Sequence, residues 1–318
     1  MGIAHLNSYI RNNTSESSIL KVNLGSLYGK IIAVDVSIYL YKFLAEEALL
    51  ENMYMMMSLF KFYNITPIFV FDGIPPIEKT ELLTKRYNDK MEAEKEYCVL
   101  KEQYSCTTSK ENQKSIIYNM NSLRKKFIRL KKSDILKVQE LIAAFGLTYI
   151  EAIGEADELC AKLVIKKKAY ACLSEDMDMF VYGCYRVLRY LSLINETVII
   201  YHLDKILIDL KLSLKEFKEI CIISGTDYNL NINNKTNLYK TFHYFKIYKS
   251  ISNKDNKMEF YTWLDNTTDY INNIYKLYNI YNIFLTENIE LQKIQIQINP
   301  MNMNKIKEII TQEGFIFL

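Results

Sequence analysis

Six short apolar runs constrain the fold of this chain more than any other feature. They are 31–36 (IIAVDV), 67–71 (PIFVF), 147–150 (LTYI), 169–173 (AYACL), 186–190 (RVLRY) and 197–201 (TVIIY). Several are apolar from end to end and rich in β-branched residues. A strand of that kind is covered on both faces, as in a parallel sheet. Between the runs, 38–62, 134–145, 155–167 and 214–223 repeat apolar residues at helical spacing. Strand alternating with helix predicts an α/β fold, a twisted and mostly parallel sheet flanked by helices. Residues 80–132 lack a strong apolar stripe and are predicted to form charged helices standing off the core. From about residue 213 a mainly helical region is expected. No glycine occurs between Gly225 and Gly314, and Asn, Ile, Lys and Tyr dominate there.

Several classes are excluded at this level. No run approaches the roughly 18 apolar residues of a membrane span. The opening MGIAHLNSYI lacks the basic-then-apolar pattern of a secretion signal. A myristoylation signal needs Ser or Thr where Leu6 stands. Six cysteines, at 98, 106, 160, 172, 184 and 221, form no C-x-x-C pair, so buried thiols in a reducing compartment are expected. With only His5, His202 and His243, the chain is poorly supplied for a catalytic triad or a histidine zinc site.

In an open α/β sheet the chemistry sits outside the carboxyl ends of the strands. Those ends carry acids here. IIAVD ends in Asp35 and PIFVFD in Asp72. LTYIEAIGEAD places Glu155 and Asp157 where a helix opens, AYACLSEDMD brings Asp176 and Asp178, and CIISGTD adds Asp227. One aspartate at a strand end is ordinarily a cap or turn former. So many carboxylates on one rim repel unless cations neutralise them. Oxygen donors without His or Cys point to Mg²⁺, with Mn²⁺ as a substitute. In an extended SEDMD segment, Asp176 and Asp178 would face the same way.

The formal net charge of +3 is unevenly spread. Residues 78–132 carry 14 Lys and Arg against 8 Asp and Glu, a local +6. RKKFIRLKK (124–132) holds six basic residues, among them Arg124, Lys125, Lys126 and Arg129, and no acid. A concentrated basic segment fits a polyanion partner.

Taken in order, MGI, IAVDVSIYLYKFL (32–44), PIFVFDGIPPIEKTELLTKR (67–86), GEADELCAKL (154–163), SEDMDMF (174–180) and SGTDY (224–228) resemble the flap endonuclease family, the XPG-type structure-specific 5′ nucleases. The resemblance covers roughly residues 1–228. It implies that Asp35, Asp72, Glu155 and Asp157 hold one Mg²⁺ and that Asp176, Asp178 and Asp227 hold a second. Asp157 stands where the family has a longer Glu, which favours a water-bridged contact. Lys79 and Arg86 match the basic pair above the metals, Tyr41 an aromatic that stacks beside the scissile phosphate, and Gly2 the ordered N-terminus near the substrate. Segment 80–132 resembles the arch through which a single-stranded 5′ end passes.

The expected activity is Mg²⁺-dependent endonuclease and 5′ exonuclease cleavage of flapped or branched DNA in replication, repair or recombination. The expected organisation is a nuclease region (1–105), a basic arch segment (106–132), an internal nuclease region (133–228) and a helical C-terminal region (229–318). A degenerate helix-hairpin-helix is expected there, since NLNINNKTNLYKTF has no glycine and leaves Asn231, Asn233 and Asn234 as the residues suited to left-handed turns. The 3′-flap-recognising insertion of cellular members is replaced by LLENMYMMMSLFKFYN, whose methionines read as core. No clamp-binding peptide is evident in TQEGFIFL, so Phe315 and Phe317 are expected to pack inward. A monomer acting on DNA without a membrane is expected. These trims resemble members from large DNA viruses. The implied location is intracellular: the nucleus, the host's for a viral protein, or alternatively a cytoplasmic viral factory. Two other readings stand beside this one, a non-catalytic DNA-binding recombination scaffold and a PIN-type ribonuclease.

Overall fold

Each of the six apolar runs forms a strand. The computed structural model describes residues 2–107, 109–229, 236–251, 258–285, 296, 299–312 and 314–315. The predicted strands are β2 (Ile31–Asp35), β3 (Thr66–Phe71), β4 (Thr148–Glu151), β5 (Ala171–Leu173), β6 (Arg186–Ser192) and β7 (Thr197–His202). A seventh, β1 (Ile19–Asn23), precedes them and was not legible as an apolar run. The sheet order is β1-β7-β6-β5-β2-β3-β4. From β6 to β4 every pairing is parallel, while β7 and β1 close one edge in antiparallel fashion. β1 is an edge strand with three of its five residues exposed, so its sequence needs no continuous apolar run.

Fourteen α-helices occur among the described residues. In chain order they are α1 (Leu6–Asn13), α2 (Val36–Ala45), α3 (Leu49–Phe62), α4 (Thr80–Cys106), α5 (Lys110–Arg124), α6 (Lys132–Ala144), α7 (Ala156–Ile165), α8 (Asp178–Tyr182), α9 (Leu203–Leu210), α10 (Leu214–Ser224), α11 (Leu238–Ile251), α12 (Phe260–Thr267), α13 (Ile274–Ile283) and α14 (Met303–Thr311). Among the described residues none is long and apolar enough to cross a membrane.

The period-two geometry of the strands divides the core in two. Ala33, Ile68, Val70, Cys172 and Val187 point to one face, where α1 and α7 to α13 pack. Val34, Phe69, Phe71, Leu173 and Leu188 point to the other, covered by α2, α3, α6 and α14. Both faces are dry, which is why these strands read as apolar throughout.

Three expectations are amended. The helical pattern over 38–62 is two helices, because the chain turns at residues 46–48 with Glu47 in the left-handed region (φ 58°). Neither Gly nor Pro marks that turn, so the sequence carries no punctuation there. Two of the six cysteines, Cys98 and Cys106, are exposed on the outlying α4, and the other four are buried. The C-terminal helices do not stay together: α10 to α13 cover one face, and α14 returns to the other against α6. Met53, Met56 and Met57 are core residues as expected. Phe315 packs inward with its ring 5.9 Å from that of Tyr54. Phe317, Asn231, Asn233 and Asn234 lie outside the described residues.

Candidate active site

The acids stand along the carboxyl rim of the parallel strands. Asp35 is the last residue of β2, where the chain enters α2. Asp72 follows β3. Glu155 precedes the first turn of α7, and Asp157 sits in it. Asp176 lies in the loop after β5, Asp178 opens α8, and Asp227 follows α10.

Backbone contacts fix these loops to one another. Gly73 N–H donates to the Gly154 carbonyl (2.7 Å), and Ile74 N–H donates to that of Ile153 (3.1 Å). A Cβ at Gly73 would lie 1.9 Å from the Ala152 carbonyl oxygen, so only glycine permits this approach. Ala156 N–H then donates to Asp72 Oδ1 (2.9 Å), which joins the rim acids of β3 and α7. Ser174 Oγ donates to Asp35 Oδ2 (2.8 Å) and accepts from Asp176 N–H (3.1 Å), joining β2 to the loop after β5.

The SEDMD segment departs from expectation. It is not extended across its length: Asp178 N–H donates to Asp176 Oδ1 (2.9 Å), and Asp178 already belongs to α8. The two side chains nevertheless face one point. Gly2, with φ 71°, brings its backbone against both; a Cβ there would lie 2.4 Å from Asp176 Oδ1 and 2.5 Å from Asp178 Oδ1. Gly2 is thus placed beside Asp176 and Asp178.

Two cations stand among the carboxylates. Lys79 Nζ is 2.5 Å from Glu155 Oε1 and 3.6 Å from Asp227 Oδ2. Arg86, on α4, reaches the same Asp227 oxygen at 2.9 Å. Lys79 is buried, which by itself lowers an ammonium pKa; the carboxylates of Asp157, Glu155 and Asp227 reverse this and raise it. Lys79 is therefore permanently charged at neutral pH.

The acids behave as one electrostatic group. Burial, then the charge of Asp72, pushes Asp35 up to about 8. Burial, then Glu155, raises Asp157 well above the usual carboxylate range. Burial and Asp227 raise Asp176; burial, Asp176 and Asp227 raise Asp178 further. Seven acids thus face two cations, and charge of the opposite sign is in deficit.

Among the described residues no three acidic, histidine or cysteine side chains stand as a ready-made metal cage. The reason is visible in the partners: Glu155 and Asp227 hold Lys79, while Asp72 and Asp157 accept from backbone N–H groups of α7. The donors still fit a hard divalent cation, because all are carboxylate oxygens and Asp178 Oδ1 is buried with no hydrogen-bond partner.

A pH dependence follows. A carboxyl whose folded-state pKa exceeds its unfolded value favours the fold fully below the unfolded pKa, and that contribution is lost as pH rises through the folded one. For Asp35 the window runs from 3.8 to about 8. In EDTA, the melting temperature is expected to fall by several degrees between about pH 5 and about pH 8, and millimolar Mg²⁺ is expected to restore it at the upper end. A melting temperature that stays flat over that range and ignores Mg²⁺ would refute the coupling.

Tyr41 is not a core residue. In α2 the buried positions are Val36, Tyr39, Leu40 and Phe43; Tyr41 is 44% exposed with Lys90 Nζ 5.0 Å from its ring centre. Burial and the nearby Asp72 raise its pKa, so its ring borders the acids. Above it, α4 and α5 pack together as an outlying helical pair that buries only Leu82, Ala93 and Leu123. The basic run at its base is less free than the sequence suggests. Arg124 pairs with Glu47 and Arg129 with Glu94, each at 2.5 Å, while Lys125 and Lys126 are exposed. The acids that meet this run come from other segments, so a linear count does not show them.

Sequence reasoning passed over three supporting residues. Tyr228 donates to Glu155 Oε2 and pairs with the Tyr182 hydroxyl at 3.0 Å. Ser174 bridges Asp35 and the Asp176 backbone, as described above. Arg189 is buried, donates to the Glu175 carbonyl (2.8 Å) and to Asn7 Oδ1 (2.9 Å), and lies 3.6 Å from Glu175 Oε2. The third acid of SEDMD, Glu175, therefore turns away from the rim and balances Arg189. Only the crowding of acids in that segment hinted at a buried arginine.

The chain is similar to known proteins over most of its length. The XPG N-terminal domain matches residues 1–93 and the XPG I-region residues 146–227, together more than half of the chain. Flap endonuclease 1 of Pyrenophora tritici-repentis (strain Pt-1C-BFP) is 31% identical over 248 residues, covering 72% of this chain and 59% of the relative. Flap endonuclease 1 of Saccharomyces cerevisiae (strain RM11-1a) is 32% identical over 248 residues, covering 72% and 61%. The chain thus spans about three fifths of the length of these relatives. The catalytic core of Rad2 in complex with DNA substrate superposes with a TM-score of 0.70 at 19% identity, over 99% of this chain and 96% of that one, a likeness of fold. With both family regions present and the acids of each meeting on one sheet rim, the chain belongs to the XPG family.

Proposed function

We propose that the protein is a Mg²⁺-dependent, structure-specific 5′ nuclease that cuts flapped or branched DNA. The observation that carries this reading is the rim itself: seven carboxylates, two of them neutralised by Lys79 and Arg86, beside a half-exposed tyrosine and under a helical pair. Asp35, Asp72, Glu155 and Asp157 would hold one ion and Asp176, Asp178 and Asp227 a second. Bound Mg²⁺, or Mn²⁺ in its place, supplies an activated water and offsets charge on the attacking and leaving oxygens.

The protein's own groups do the rest. Lys79 and Arg86 exchange their carboxylate partners for the scissile phosphate and stabilise the charge it gains in the transition state. Tyr41 stacks on the neighbouring base, a contact worth about 1–3 kcal/mol. Asp178 and Asp176 are held at the rim by Ser174, Arg189 and the close-packed Gly2. Arg124, Lys125, Lys126 and Arg129 at the foot of the α4–α5 arch attract the single strand, with a steep salt dependence. Products carry 5′-phosphate and 3′-hydroxyl ends. Such an activity serves replication, repair or recombination, and the reading takes the protein as a monomer working wherever that DNA is held.

The test is a panel of 5′-flap, nicked, gapped and four-way DNA, with an RNA counterpart, incubated with Mg²⁺ and with EDTA. Metal-dependent cleavage near the junction of one or more DNA substrates is the expected result. Tight binding without any cleavage would replace this reading with a non-catalytic scaffold. Preferential cleavage of RNA would replace it with a ribonuclease.

A further inference from the structure

The opposite rim of the sheet carries a second concentration of charge. A cavity of about 650 Å³ opens at the amino ends of β2, β5 and β6. Lys30 immediately precedes β2, Tyr170 immediately precedes β5, and Arg186 opens β6. Lys167 and Lys168 enter the same cavity from the turn after α7, with Asp204 as the one acid among the residues lining it. Strands of about five residues at about 3.3 Å each put this cavity roughly 16 Å behind the carboxylate rim.

The cations come from three separate segments of the chain. Lysines after a helix serve its dipole, and that accounts for Lys167 and Lys168 alone. It does not account for Lys30 and Arg186, which converge on one aromatic ring. Lys30 Nζ is 5.0 Å from the centre of the Tyr170 ring, and Arg186 Cζ is 4.6 Å from it. Arg186 also donates to the Tyr170 carbonyl at 3.4 Å, which fixes its guanidinium at the cavity wall. Tyr185 stands 44% exposed on the same wall. Lys167 adopts φ 57°, a conformation disfavoured for a residue with a Cβ, where glycine would cost nothing.

We propose that this cavity is a second nucleic-acid site, taking single-stranded DNA or RNA away from the cleavage rim. Phosphates bind Lys30, Lys168 and Arg186, and a base stacks on the exposed face of Tyr185. Stacking explains the tyrosine and counterion release the excess of lysine. An acidic peptide would use the lysines but leave the exposed aromatic ring unexplained, so a nucleic acid is favoured. The site binds without cutting, since no acid of the catalytic rim reaches it.

The experiment uses the full chain and a 4-thiothymidine-labelled oligothymidylate in EDTA, with cross-links mapped by mass spectrometry and affinity measured across salt. Cross-links on the peptide holding Tyr185, and on that holding Tyr170, are expected. Lys30→Glu/Lys168→Glu changes only exposed side chains. It should weaken oligothymidylate binding about tenfold and reduce the salt slope by about 1.4, some 0.7 per lost phosphate contact. Tyr185→Ala should remove its cross-link without altering the slope. Flap cleavage under saturating DNA should be unchanged in both variants, so loss of cleavage in the wild type would bear on the rim and not on this site. Cross-links confined to residues 80–132, with affinity unchanged in the double variant, would overturn the proposal.

Discussion

Asp176→Ala is expected to lower the single-turnover rate of 5′-flap cleavage by at least about a thousandfold and to make the metal-free protein more stable. The two effects share one cause. Asp176 is buried, and burial together with the charge of Asp227 raises its pKa. In the absence of a divalent ion this group is a liability, so removing it relieves repulsion on Asp178, whose pKa Asp176 helps to raise. In the proposed reading the same carboxylate would be a ligand once a divalent ion binds, and removing it would delete a donor. Stability and activity therefore move in opposite directions, as in other strained functional sites. Melting in EDTA and cleavage in Mg²⁺, measured on one preparation, give both numbers. A variant that still cleaves at the wild-type rate, with contaminating nuclease excluded, would remove Asp176 from the site.

Lys79→Ala should cost about 10²–10³ in the chemical step, the range seen when a single charge-stabilising donor is removed. Its structural consequence has the same origin. Lys79 is held within hydrogen-bonding distance of Glu155 and also near Asp227, so its loss leaves both carboxylates short of positive charge. Arg86 remains on Asp227 but has no contact with Glu155 to take over. The expected signature is a fall in kcat with little change in DNA affinity, because one buried lysine contributes little to long-range attraction. It should be joined by an increased Mg²⁺ requirement. Lys79→Arg should recover part of the rate. An affinity loss with kcat intact would reassign Lys79 to substrate binding.

The strands and the acids at their carboxyl ends were legible because two rules coincide. Doubly covered strands read as continuous apolar runs, and a parallel sheet directs its loops to one rim. Hence Asp35, Asp72 and Asp176 could be placed on one rim before any contact was known, whereas Asp227, which follows helix α10, was tied to them only by the family resemblance. β1 was missed because none of the residues of this edge strand, ILKVN, is fully buried, and Lys21 and Asn23 interrupt its apolar residues. The turn at Glu47 was missed because it is made by a glutamate in a left-handed conformation and not by glycine. Charge was the least legible quantity. RKKFIRLKK looks free of acids in sequence, yet Glu47 and Glu94 meet its arginines from two other segments. SEDMD likewise looks like three equivalent acids, but Arg189 on β6 withdraws one of them. Such pairings depend on folded proximity, which periodicity does not encode.

The return of α14 to α6 also sets an order of events during synthesis. α6 ends at Ala144 and is made early; the helix that seals its apolar side begins only at Met303. Ile306, Ile309 and Ile310 are buried there, each worth about 1.5–3 kcal/mol once covered. Until they emerge from the ribosome, the nascent chain carries every rim acid on a half-finished layer. A polypeptide with this arrangement leaves the α6 side of its sheet open until the residues of α14 have been made.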